Sequence, residues 1–119
     1  MTRIFVYGTL KHGCKNHHHL AGQIYVGEAR TVPGFRLYHL GSYPGMVADP
    51  TDLEGVIGEL WDVDAAALAH LDEFEGVYEG IYIRELVRIE SPDTRDQFYT
   101  YLYARPVAGL PVIGSRWRE

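Results

Sequence analysis

Only one stretch of this chain repeats with the period of a helix; almost everything else alternates with the period of a strand. The helical stretch is Asp64–Gly76, DAAALAHLDEFEG. Asp64 has N-cap chemistry, and Gly76 suits a helix end. Around it, residues 4–7, 23–32, 35–40, 53–63, 82–90 and 97–104 read as strands, with a shorter one at 46–48. Gly55 and Gly58 predict a bulge or strong bend within 53–63. Residues 91–96 read as a hairpin loop and 17–20 as a helical turn. The tail from Arg105 reads as mostly irregular. Six or so strands and one main helix predict an α+β fold, a curved or barrel-like mixed sheet with a helix packed on it. At 119 residues the chain is expected to form one domain, 1–119, large enough for a core without staples.

Within the helix, Leu68, Leu71 and Glu75 share one stripe, spaced i, i+3, i+7. Glu73 falls on the opposite face, where a solvated acid belongs. Glu75 also sits at the C-terminal end, where the helix dipole disfavours a carboxylate and partial burial disfavours it further. Such a group is either a general base or a helix-end acid that swings out to water or pairs with an arginine such as Arg84.

Other constellations are weaker taken singly. Tyr7-Gly8-Thr9-Leu10 follows the first strand. A glycine there lets backbone N–H groups converge into an anion-binding concavity, although a plain strand-ending turn has the same sequence. Tyr99, Tyr101 and Tyr103 occupy alternate positions of one strand, so one face carries three hydroxyls. That face is either half-exposed sheet or, with Tyr82, the wall of a polar pocket. His17, His18 and His19, with His12 nearby, cannot share one face, and no cysteine or carboxylate sits at zinc spacing around them. They read as a solvated segment, and no metal is expected. Cys14 beside them shows no oriented base, so a thiol nucleophile is not expected.

The net charge of −5 provides no footprint for nucleic acid or an anionic membrane. No run reaches membrane-spanning length. A lone cysteine excludes an internal disulfide, and a cytoplasmic location is the simplest expectation.

Taken in order along the chain, these motifs resemble the γ-glutamylcyclotransferase-like family, which includes the AIG2-like proteins. The stretch Val6-Tyr7-Gly8-Thr9-Leu10-Lys11, with Gly13, Asn16 and His17, resembles the signature of its γ-glutamylamine cyclotransferase branch and of small bacterial relatives. Tyr43-Pro44, the strand VIGELW at 56–61, Leu71-Asp72-Glu73-Phe74-Glu75, Tyr82 with Arg84, and Tyr103 complete the match. The tail Ile113–Trp117 matches only loosely. The resemblance implies a small mixed β-barrel with flanking helices and a cavity at one end. It implies that Tyr7, Gly8, Thr9 and Leu10 cradle a glutamyl head, that Tyr43, Tyr82 and Tyr103 border the substrate, and that Glu75 is the acid/base. The implied reaction is a 5-oxoproline-forming cyclisation of a γ-glutamyl amine or amino acid, with no cofactor and a small molecule as the only partner. A non-catalytic binding module of the same fold, or an enzyme acting on a different amide, are the alternatives. Neither the substrate nor the oligomeric state is legible at this stage.

Overall fold

The computed structural model describes all 119 residues. Its strands are β1 (Thr2–Val6), β2 (Ile24–Thr31), β3 (Phe35–His39), β4 (Pro44–Ala48), β5 (Ile57–Val63), β6 (Tyr82–Ser91), β7 (Gln97–Tyr103) and β8 (Val112–Gly114). The single α-helix, α1 (Ala65–Phe74), is joined by 3₁₀ turns at His17–Leu20 and Val77–Glu79. Of the flanking helices expected, only this one is a full α-helix.

Five strands close on themselves in the order β1-β5-β2-β6-β7, with β7 returning to β1. The closing contact is parallel, Ile4 to Tyr99, and every other pair in the ring is antiparallel. Further along the same edge β7 pairs in parallel with β4, Met46 to Leu102, and β4, β3 and β8 continue the sheet outward. Closure removes the free edges that an open sheet of this size exposes.

β1 is apolar at Ile4, Phe5 and Val6 without alternation because both of its faces are covered. Phe5 points into the barrel, where it packs with Leu37, Met46, Leu60 and Phe98. Ile4 and Val6 point outward into a second apolar layer with Trp61, Val63 and Leu71. Helix α1 covers that second layer through Leu71, which is fully buried. Its N-cap is Asp64, whose Oδ1 accepts from the Ala67 N–H at 2.7 Å.

Two details differ from the sequence reading. The strand predicted from residue 53 begins at Ile57 and carries no bulge. Gly58 is small because β1 passes close: a Cβ there would lie 2.2 Å from the Val6 carbonyl oxygen. The irregularity lies in the facing strand, where register shifts between Tyr25 and Gly27. The tail is also more ordered than expected. β8 pairs with β3, Trp117 is buried in the barrel core, and the last residues fold back on the loop after β1. Lys11 Nζ donates to the Trp117 carbonyl at 2.8 Å, and the Lys15 N–H donates to Glu119 Oε1 at 2.8 Å.

Candidate active site

β1 ends where the barrel core meets the helix-covered layer, and the chain turns there through Tyr7–Leu10. Gly8 permits the turn to press on β4, since a Cβ would sit 2.8 Å from Pro44 Cγ. The carbonyls of this turn are engaged: Lys11 N–H donates to Gly8 at 3.1 Å and Asn16 N–H to Thr9 at 2.9 Å. Asn16 Nδ2 adds a bond to Thr9 Oγ1 at 3.0 Å. The N–H groups of Gly8, Thr9 and Leu10 donate to no protein acceptor. All three residues are buried. Buried N–H groups without partners are rare, so three in succession mark a place prepared for an external acceptor.

Across the cavity stands Glu75, the C-cap of α1, with Gly76 in the left-handed conformation after it. Glu75 is partly buried and lines the cavity. Burial pushes its carboxyl up to about 7. No protein donor bonds to the carboxylate. Three phenols close enough to feel its charge, Tyr7, Tyr82 and Tyr101, are pushed up chiefly by their own burial. Each hydroxyl is committed elsewhere. Tyr7 donates to the Tyr101 carbonyl and accepts from Met46 N–H at 3.2 Å. Tyr82 donates to the Pro44 carbonyl at 2.8 Å, and Tyr101 donates to Asp72 Oδ1 at 2.7 Å. Glu75 therefore faces ring bodies rather than donors, which favours its neutral form and leaves its oxygens free to take a proton. Arg84, the alternative partner for Glu75, instead donates from Nε to Asp72 Oδ1 at 2.9 Å.

The cavity has a volume of about 290 Å³ and is lined by Tyr7, Gly8, Thr9, Leu10, Tyr43, Tyr82 and Glu75. Of the residues expected at the site, Tyr103 alone is not on the wall; it packs edge-on against Tyr82 at 5.4 Å between ring centroids. Asn16, Phe74 and Tyr101 line the cavity too, although the family resemblance assigned them no contact with the substrate. Tyr101 had a signal in the alternating tyrosines. Asn16 and Phe74 stand inside the matching motifs, but nothing in their spacing marks them as wall residues.

The histidine segment is not simply solvated. Leu20 is buried, the His17 ring bonds the Leu10 carbonyl at 2.9 Å, and His19 Nδ1 meets His70 Nε2 at 2.9 Å. His12 leans on Glu59, with Nδ1 3.1 Å from Oε2. None of these histidines lines the cavity, nor does Cys14, and no group of three or more potential ligands is arranged to hold a metal.

The chain is similar to known proteins along almost its whole length. The profile of the family described as "Gamma-glutamyl cyclotransferase, AIG2-like" matches residues 4–119. The Escherichia coli K12 protein named "Gamma-glutamylcyclotransferase family protein YtfP" is 35% identical over 113 residues, covering 95% of this chain and 92% of the relative. A rat protein named "Gamma-glutamylaminecyclotransferase" is 39% identical over 83 residues, 64% of this chain and 56% of its own. The crystal structure of an AIG2-like mouse protein superposes with a TM-score of 0.81 at 31% identity, covering 97% of this chain and 87% of that one. On sequence and on fold alike, the chain belongs to the AIG2-like γ-glutamyl cyclotransferase family.

Proposed function

We propose that the protein converts a γ-glutamyl amine or γ-glutamyl amino acid to 5-oxoproline and the free amine, with Glu75 as general acid/base. One observation carries the reading: a carboxyl held near pKa 7 with no protein partner shares a small cavity with three unpaired backbone N–H groups. A zwitterionic glutamyl head complements both. Its α-carboxylate takes the N–H groups of Gly8, Thr9 and Leu10, and its α-ammonium lies toward Glu75.

The steps follow from that pose. Glu75 takes one proton from the ammonium. The freed amine attacks the γ-carbonyl carbon, and a new N–C bond closes the five-membered ring. The cavity wall holds amine and carbonyl in contact, which replaces a chance encounter by a fixed one. As the tetrahedral intermediate collapses, the bond to the leaving nitrogen breaks, and that nitrogen receives the proton from Glu75. The ring nitrogen sheds its second proton, and the released amine is protonated in water, so charge balances. No electron is transferred, and no group beyond the chain and the substrate is needed.

A binding module of the same shape is the second reading. An ionisable group kept half-buried without a partner costs stability, which a passive pocket has no reason to retain. The test is to incubate the protein with γ-glutamyl amines, γ-glutamyl dipeptides and glutathione and to measure 5-oxoproline. Release that disappears in Glu75→Gln supports the enzyme; tight binding with no product from any compound supports the module.

A further inference from the structure

Within α1 only Leu71 and Asp72 are buried. Leu71 packs into the outer apolar layer with Ile4 and Trp61. A single apolar contact holds a helix down but lets it roll about its axis. Asp72 supplies the second contact, and it is polar. Its Oδ1 accepts from the Tyr101 hydroxyl of β7 at 2.7 Å and from Arg84 Nε of β6 at 2.9 Å. Arg84 is held in turn, with its guanidinium 4.8 Å from the centroid of the Tyr99 ring. One carboxylate thus ties the end of α1 to two adjacent strands, and Tyr101 at the far side of the tie lines the cavity.

The angles decide what this tie controls. At ~100° per residue, Asp72 lies about 100° around the helix from Leu71. Glu75 follows Leu71 by four residues and Asp72 by three, so it projects between them, about 40° from the first and about 60° from the second. The Glu75 N–H donates to the Leu71 carbonyl at 2.8 Å, so the helical register reaches it. The two buried residues bracket the carboxyl. Loss of either contact frees the helix to roll, and Glu75 rolls with it. A buried carboxylate is a poor device for stability alone, since an apolar side chain of similar volume holds a helix as well. What its two hydrogen bonds add is direction.

We infer that Asp72 is a positioning residue for Glu75: through Tyr101 and Arg84 it fixes the rotation of α1 and keeps the Glu75 carboxyl in the cavity. The catalytic meaning of this role rests on the cyclotransferase reading; the placement does not.

The test reads Glu75 itself. Glutamate labelled with ¹³C at the side-chain carboxyl is incorporated, the Glu75 signal is identified by its loss in Glu75→Gln, and its titration is followed by NMR without substrate. Besides Glu75, the titratable groups on the cavity wall are the phenols Tyr7, Tyr43, Tyr82 and Tyr101. From the neighbouring 3₁₀ turns, His19 stacks on Phe74 and Glu79 lies beside Gly76. Asp72→Ala and Arg84→Met separate position from charge. By charge alone, loss of Asp72 lowers the Glu75 midpoint and loss of Arg84 raises it; loss of position hydrates Glu75 and lowers it in both. The midpoint is expected to fall from about 7 to about 6 or below in Asp72→Ala, and to fall in Arg84→Met as well. On any γ-glutamyl compound that the wild type cyclises, kcat is expected to drop by about tenfold or more with a smaller change in KM. Shifts of opposite sign, a midpoint unmoved in one variant, or an unchanged kcat overturn the inference. If Asp72→Ala does not fold, Arg84→Met decides alone: a fall supports the inference, and a rise or no change overturns it. Because the titration needs no turnover, a protein that releases no 5-oxoproline loses the cyclotransferase reading while the placement is still decided.

Discussion

At the scale of single residues, Glu75 carries two consequences that point in opposite directions. Glutamine keeps its shape but takes no proton at neutral pH. Glu75→Gln is expected to lower turnover by roughly 10²–10⁴ while leaving the fold intact. In the wild type, kcat/KM is expected to rise with pH through about 7, as the carboxyl ionises. That limb should vanish from whatever activity the variant retains. Stability moves the other way. The folded protein holds the Glu75 proton more tightly than the unfolded chain, from about 4.5 up to about 7. Its contribution is therefore fully present below the unfolded value and lost as pH rises through the folded one. Glu75→Gln should melt above wild type at pH 8, by no more than about 3 kcal/mol because the cavity admits water, and the gap should close toward pH 5. Glu73→Gln, on the exposed face, is the control and should change neither turnover nor melting. Glu75 was legible in the sequence because a carboxylate interrupts an apolar stripe. Asp72 was not. The stripe says which face a residue lies on, but the Tyr101 hydroxyl and Arg84 that receive Asp72 come from strands assembled later in the chain.

At the scale of elements, turns decide where the cavity wall stands. Gly8→Ala places a methyl carbon 2.8 Å from Pro44 Cγ, well inside van der Waals contact, so the turn is expected to move away from the proline ring. Because that movement displaces unpaired N–H groups rather than a core side chain, kcat/KM should fall by more than tenfold with a loss of stability near 1 kcal/mol, measured by urea titration. A second turn depends on Asp52, whose Oδ2 accepts from the N–H groups of Gly34, Glu54 and Gly55 at 3.1, 3.2 and 2.7 Å. Burial pushes this carboxyl up, but those N–H groups outweigh it and hold it below the ordinary range. Asp52→Ala should cost about 1–3 kcal/mol at pH 7. Since a depressed value stabilises only above the unfolded one, that cost should shrink as pH falls below about 4. Strands with one wet face, such as β7, were readable from alternation. β8 was not, because three residues carry no period, and the bulge was misplaced because a glycine in a strand signals close approach as readily as an extra residue. Tyr103 shows the limit of alternation for the site: it shares a face with Tyr101, but it packs on Tyr82 and does not line the cavity.

At the scale of the whole molecule, the C-terminal residues fold onto the loop after β1, beside the site. Lys11 and Lys15 are tied to Trp117 and Glu119, and Asn16, which lines the cavity, follows in the same loop. Deleting Trp117–Glu119 should therefore cost about 3–5 kcal/mol in urea unfolding, chiefly through the lost indole, and should raise KM as the loop loosens. Ring closure was beyond sequence reading for the same reason: periodicity is local, whereas Ile4 meets Tyr99 across most of the chain. That closure also has a history in time. During synthesis, the first strand leaves the ribosome with neither neighbour yet made; β5 and β7 follow, and the tail that pins its loop comes last. The nascent chain carries this apolar strand with one edge open until β7 has been made, so the pace of translation across that interval is expected to govern how much of it escapes aggregation.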